Sequence, residues 1–230
     1  MQGSAPLAAA ALAWIAIHIG LAGTALRGLV AGRLGERWFR VVFSLLSVAS
    51  IWALVAAYNA APTAPLWFAP QGLRWLLVVL MLPASMLLVA AFTVRNPTGV
   101  GGEAAMRQEP RAMLRVTRHP MLWSFALWAG VHIAGNGDTA SLLFFGAFLV
   151  TALAGMPSID AKLARRDPEG WAALAGRTSV LPFAAIAAGR NRLAPAEIGW
   201  VPVLLGAALW TVLLAFHRTI FGVAPVAPLG

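Results

Sequence analysis

Apolar residues in this chain gather into six runs, at 6–26, 39–60, 73–94, 120–134, 139–156 and 198–220. Most are about twenty residues long, which is the length a helix needs to cross a hydrocarbon layer of ~30 Å. The fourth is shorter as drawn; Leu114 and Val116 offer an earlier start, but Arg115 and Arg118 oppose it. None of the runs alternates with period two, so the pattern predicts helices rather than a membrane β-barrel. The expected fold is all-α: a polytopic transmembrane bundle of about six helices, forming a single domain over residues 1–230. Polar positions collect between the runs. Residues 97–102 form a Gly/Pro-rich breaker, and residues 158–176 set Ile159, Leu163, Trp171 and Leu174 against Lys162, Arg165 and Arg166. That amphipathic pattern predicts a helix lying in the headgroup plane between spans five and six. The other two connections, 59–72 and 135–138, are short, and Trp38, Trp67, Trp75 and Trp200 stand near span ends, where indoles prefer the interface. Pro83 falls inside the third run and predicts a kink that a neighbouring helix must accommodate.

Composition agrees with a membrane class. Hydrophobic residues make up 60% of the chain and charged ones only 11%, against about 25% charged in soluble domains. The first run is read as a retained span, because residues 1–5 contain no Lys or Arg to serve as a signal-peptide n-region.

The net charge of +9 invites a nucleic-acid reading, but position removes it. Of the 17 cations, 15 fall in three alternate connections, and only Arg74 and Arg218 lie towards the opposite side. The positive-inside rule therefore places the three basic loops in the cytoplasm and both termini outside. Topology and anionic lipid headgroups account for the charge, the lipid bilayer is the expected partner, and no nucleic acid is required.

Candidate chemistry is sparse. The chain has no cysteine, which excludes a thiolate nucleophile, a disulfide and an iron–sulfur cluster. It has no H-E-x-x-H and no phosphate-binding glycine loop. Acids are nearly absent from the spans, which argues against an ion pump. A Ser/His/Asp hydrolase built on His132 and Asp138 has no support in their spacing.

Histidines remain. His18 lies inside the first span, His132 in the outer half of the fourth and His217 near the outer end of the sixth; His119 opens the fourth at the inner face. A histidine in hydrocarbon needs a partner. It either bonds a neighbouring helix's carbonyl or acts as a ligand, and facing imidazoles are a common way to hold a haem iron. At 1.5 Å per residue, His18 sits ~12 Å and His132 ~18–20 Å from the inner boundary. Shifting each span by a few residues brings them level, and His132 with His217 is the competing pair. Met81, Met86 and Met121 read as packing.

Four blocks carry a resemblance. They are His18 followed by Ile-Gly-Leu-Ala, Thr117-Arg118-His119-Pro120, Trp128-Ala-Gly-Val-His132, and Arg177-Thr-Ser-Val-Leu-Pro-Phe-Ala184. In this order and spacing the chain resembles the NnrU family of bacterial membrane proteins and its plant relatives, the 15-cis-zeta-carotene isomerases. The resemblance implies a six- or seven-helix membrane protein, in bacteria at the inner membrane and linked to nitrite and nitric oxide metabolism. On the plant side it implies a b-type haem that isomerises a central cis double bond of a polyene, with its two haem histidines falling on His18 and His132. A cysteine three positions before the second histidine in the plant pattern is replaced here by Ala129, which puts carotene isomerisation in question. Arg118 is a candidate partner for a haem propionate, as are Arg27, Arg177, Arg74 and Arg218; equally, Thr117 to Pro120 can serve as a simple helix entry. The segment 177–184 reads as a loop docking the amphipathic segment onto the bundle. Two function classes follow: a haem-dependent enzyme acting on a hydrophobic or gaseous small molecule, and a non-catalytic accessory or haem/NO-sensing protein.

Overall fold

The fold was analysed in a computed structural model that describes residues 3–99 and 102–226. The expected breaker at 97–102 is therefore described except for Val100 and Gly101, and the outermost residues at both ends lie outside the description. Order is helical throughout, and the one β feature among the described residues is an isolated bridge between Pro65 and Asp138. Among the described residues, four helices are long and apolar enough to cross a membrane, or five if a bent pair near the start counts as one span. The chain forms two compact units, residues 1–70 with 129–158 and residues 71–128 with 159–230.

In the first unit, α1 (Ala5–Ile15) begins with Pro6 in its first turn, where a missing N–H costs nothing. It runs into a π-helical turn, Ala16–Leu21, and α2 (Leu26–Leu34) then leaves at 76°. The straight first span expected over 6–26 is thus broken. Thr24 supplies a physical reason: its hydroxyl donates to Gly20 O at 2.6 Å and accepts from Leu26 N at 3.2 Å, drawing backbone groups out of the helical ladder. Gly23 is pressed against the Ile19 backbone, where a Cβ would collide. Gly35, with φ +81°, turns the chain into α3 (Glu36–Ala60), and α1 and α2 both pack on α3. Loop 61–70 is tied to the turn before α7 (Thr139–Arg166). Trp67 Nε1 donates to Ala134 O at 3.0 Å, Leu66 N to Gly137 O at 2.7 Å, and Thr139 N to Ala64 O at 3.0 Å. Gly137 has φ +67° and lies so close to Trp67 O that no side chain fits. Asp138 caps α7 by accepting from Ser141 N at 2.8 Å.

In the second unit, α4 (Gln71–Thr93) passes through Pro83 without ending. It packs on α11 (Trp200–Phe221), whose Trp210 donates Nε1–H to Val78 O at 2.8 Å, close to the proline. Gly206 of α11 meets the Met86 backbone, and a Cβ there would lie 2.7 Å from Met86 Cα. Such close approach is how small residues join membrane helices. The short α5 (Met113–Val116) precedes α6 (Pro120–Asn136), the helix expected as the fourth span, whose residues from Ala129 onward belong to the first unit. Its 17 residues rise about 25 Å, less than the ~30 Å of a typical bilayer core.

The amphipathic segment expected over 158–176 is built from two pieces. Helix α7 continues through Pro157 to Arg166, and α8 (Pro168–Arg177) follows a break at Asp167. Pro168 cannot continue the ladder but suits a first turn, and Asp167 caps it by accepting from Gly170 N at 3.0 Å. The apolar face was read correctly: Leu163 and Leu174 are buried with Met106, and Ile159 and Trp171 pack against them. Two short helices, α9 (Ala184–Ala187) and α10 (Pro195–Ile198), lead into α11. The long helices expose large apolar side chains, among them Trp52, Phe92, Leu45 and Val212. Such surface matches contact with lipid.

Candidate functional site

His18 lies within the π-helical turn of the first unit. The turn widens the local ladder, and π-bulges of this kind recur at functional positions. The His18 Nδ1–H donates to Trp14 O at 2.9 Å, so the lone pair of a neutral ring is on Nε2. The imidazole stacks on Trp14 at 3.8 Å and meets Phe43 edge-on at 5.5 Å. Trp14 Nε1 is buried and has no hydrogen-bond partner among the described residues.

His132 belongs to the same unit, with its ring stacked on Phe145 at 4.7 Å. A continuous row of rings joins the two histidines. Trp14 meets Phe148 at 4.8 Å, Phe148 meets Phe144 at 5.4 Å and Phe144 meets Phe145 at 5.0 Å. Tyr58 flanks the row at 4.6 Å from Phe144 and bonds Ser141 Oγ at 3.0 Å. His18 and His132 are thus brought into one aromatic, weakly polar environment, one at each end of the row. His217 lies in the other unit; its Nδ1 donates to Val223 O at 2.7 Å and its ring rests against Phe221. Ala129, one turn before His132, is fully buried.

The second unit holds a polar cluster that sequence reasoning found only in part. Arg118 places its fork on Asp160, with Nη2 at 2.6 Å and Nε at 3.0 Å from Oδ2. Its guanidinium lies 5.0 Å over the Trp171 ring, and Nη1 reaches Thr178 O at 3.4 Å. His119, with 0% side-chain exposure, shares the same carboxylate through Nε2 at 2.9 Å, and its Nδ1 is buried with no partner among the described residues. The surrounding backbone joins two blocks that sequence had singled out. Thr117 Oγ1 donates to Val180 O at 2.8 Å, Arg118 N to Ser179 O at 3.0 Å, Trp123 Nε1 to Val180 O at 2.7 Å and Phe183 N to Val116 O at 2.8 Å. Segment 177–184 is therefore a docking loop, as expected, but what it docks on is the Thr117–Arg118–His119 corner. Arg118, expected as a candidate propionate partner, has its fork committed to Asp160. Asp160 itself was missed; the available signal was an isolated acid in a chain with eight acids among 230 residues.

Other loop cations are also engaged within the protein, where sequence had assigned them to headgroups. Arg107 pairs with Asp167 at 2.8 Å and with Glu169, Arg115 with Glu197 at 2.7 Å, and Arg177 with Glu109. Arg190 donates to the carbonyls of Ala175, Gly176 and Thr178 at the end of α8, a favourable place for a cation. The Arg115 hydrogen bond holds the Glu197 carboxyl below the usual carboxylate range, against a smaller opposing effect of desolvation. Arg107 and the Gly170 N–H do the same for Asp167.

Two known proteins are similar to the chain. One is a 15-cis-zeta-carotene isomerase, chloroplastic, of Arabidopsis thaliana, 28% identical over 182 residues, which is 77% of this chain and 49% of the relative. The other is a protein of the same description from Zea mays, 27% identical over 184 residues, with the same coverage. The chain spans about half the length of these relatives. No solved structure matches it. The family model described as NnrU protein matches residues 6–225, nearly the full length, and the chain belongs to that family.

Proposed function

We propose that this protein holds a b-type haem within its first unit, with His18 and His132 as the axial ligands. The observation that carries this reading is the state of His18. Its Nδ1–H is fixed to a backbone carbonyl in a π-turn, which is the arrangement that orients a metal-ligating imidazole and leaves Nε2 to bind. Two imidazoles in one unit are the donor type that haem iron takes, and aromatic rings flank each of them. The buried, unpartnered Trp14 indole N–H beside His18 offers one further polar contact. Haem bound here would supply Lewis-acid or one-electron chemistry; the protein contributes aromatic rings beside both histidines and a backbone bond that orients His18.

The role that follows is either haem-dependent isomerisation of a hydrophobic polyene or participation in nitrite and nitric oxide metabolism. We place the protein in a bacterial inner membrane, with the basic loops in the cytoplasm and both termini in the periplasm. Ala129 favours a second reading, that of a non-catalytic accessory or haem/NO sensor. It places no donor atom one turn from His132 and so offers no alternative ligand there.

Absorption spectra of detergent-purified protein from haem-replete cells test the cofactor. A Soret band that shifts on reduction is expected in the native protein, lost or strongly altered in His18→Ala and retained in His119→Ala. Protein without Soret absorption would overturn the proposal. Adding carbon monoxide to the reduced protein distinguishes an exchangeable axial ligand from a fixed one. A spectral shift reveals a displaceable ligand, as turnover or gas sensing requires, and an unchanged spectrum favours fixed bis-histidine ligation.

A further inference from the structure

A cleft of about 710 Å³ opens in the second unit where α4 ends, and none of the chemistry above uses it. Its apolar wall includes Val94, Pro97, Leu114 and Leu174, the last three buried. Four charged side chains also line it. Two are acids, and both are already neutralised: Glu109 by Arg177, and Glu197 by Arg115. The other two, Arg95 and Arg111, are exposed, and no acid among the described residues pairs with either. The uncompensated charge of the cleft is therefore positive.

The backbone at this wall is held in place. Ala112 has φ +51°, a value that side-chain-bearing residues rarely adopt, and its N–H points to Glu197 Oε2 at 3.4 Å. Strain of this sort persists where surrounding contacts over-determine it, and it is common at ligand sites. Here it fixes the chain immediately beside Arg111.

We infer that this cleft is a binding site for an anionic phospholipid of the membrane. The volume suits a headgroup with the first part of its chains. Two guanidinium groups match a phosphate diester, and the apolar wall matches what a free anion lacks. The place is also right: α4 is a membrane-crossing candidate ending at Thr93, so the cleft sits where that helix leaves the hydrocarbon, beside the exposed Phe92. Basic pockets at the cytoplasmic ends of spans are a recurrent setting for acidic lipid headgroups.

Native mass spectrometry of the full chain, released from detergent with added dioleoyl phosphatidylglycerol, tests this. The native protein should retain phosphatidylglycerol in preference to phosphatidylcholine. Replacing Arg95→Gln together with Arg111→Gln should weaken that retention about tenfold or more, the loss expected for charge-assisted bonds to phosphate. The pair Arg33→Gln with Arg37→Gln removes the same charge from the first basic connection and should leave retention unchanged. Both variants alter exposed positions, and an unchanged melting midpoint establishes that each is folded. The inference is overturned if the Arg95/Arg111 variant retains the lipid like the native protein, if the Arg33/Arg37 variant loses as much, or if phosphatidylcholine binds equally. Complete displacement by inorganic phosphate at equal concentration also overturns it, since that would make the cleft a simple anion site.

Discussion

Asp160 is the shared acceptor of the buried polar cluster in the second unit. It receives both the Arg118 fork and His119 Nε2 in a setting where all three side chains are largely buried. Breaking such a pair strands a charge in low dielectric, so Asp160→Ala should cost about 3 kcal/mol or more. The check is the melting midpoint in detergent, with His119→Ala expected to lose clearly less because Arg118 keeps its partner. Ala129 carries a second prediction at this scale. A thiolate at this position, on the same helix face as His132, would provide a soft donor that alanine lacks. The native protein should therefore isomerise 15-cis-zeta-carotene weakly or not at all under reducing conditions, and chromatography of the isomers should reveal a gain in Ala129→Cys. Robust turnover by the native protein would show that the sulfur is dispensable.

At the scale of elements, the legible features were those written in local pattern. Length and hydropathy placed α3, α4, α11 and the start of α7 within a few residues, whereas α7 runs on through Pro157 to Arg166, past the predicted end at 156; the face formed by Ile159, Leu163, Trp171 and Leu174 followed from helical spacing. The bend after Leu21 was not legible, because it depends on Thr24 competing for backbone groups, and a threonine beside glycines is ambiguous until its partners are known. The Arg118–Asp160–His119 cluster was half legible: its arginine and histidine sit in a conspicuous block, whereas Asp160 is some 40 residues away on another helix. The row of rings was hidden for the same reason, since Trp14, Phe144 and Phe148 look like ordinary span residues.

The clasp between α5 and α10 makes an element-scale prediction about pH. Glu197 titrates below its ordinary value because Arg115 bonds its carboxylate. A depressed folded value means that the clasp contributes above the unfolded carboxylate value, near 4.3, and is lost only as pH falls through the lower folded value. Hydrogen exchange of residues 194–199 should therefore stay slow from neutral pH down to about 5, a range set by that carboxylate value. It should rise in more acidic solution, and Glu197→Gln should exchange faster at neutral pH with a weaker acid dependence. Loss of protection in the native protein between pH 7 and 6, well above any carboxylate value, would contradict the assignment.

For the whole molecule, the first question is how many times the chain crosses the membrane. Among the described residues, four helices are long and apolar enough to cross, five if the bent α1–α2 pair counts as one span, and α6 is the short remaining candidate. The asymmetric distribution of cations adds an independent constraint. If α1 and α6 both cross, reporter fusions at Gly102 and Gly189 report cytoplasm, while fusions at the start of the chain and at Gly230 report the exterior. A cytoplasmic report from one end alone would mean an odd number of crossings, with the α1–α2 bend or α6 as the element that does not cross.

The second question at this scale is what the membrane bundle holds, and the proposal that His18 and His132 bind one haem iron answers it. Electron paramagnetic resonance of the purified ferric protein tests that proposal most directly. A low-spin signal typical of two imidazole ligands is expected in the native protein, giving way to a high-spin signal or loss of haem in His18→Ala and in His132→Ala. A low-spin signal that survives both substitutions unchanged, or protein that carries no haem when expressed in haem-replete cells, would contradict it.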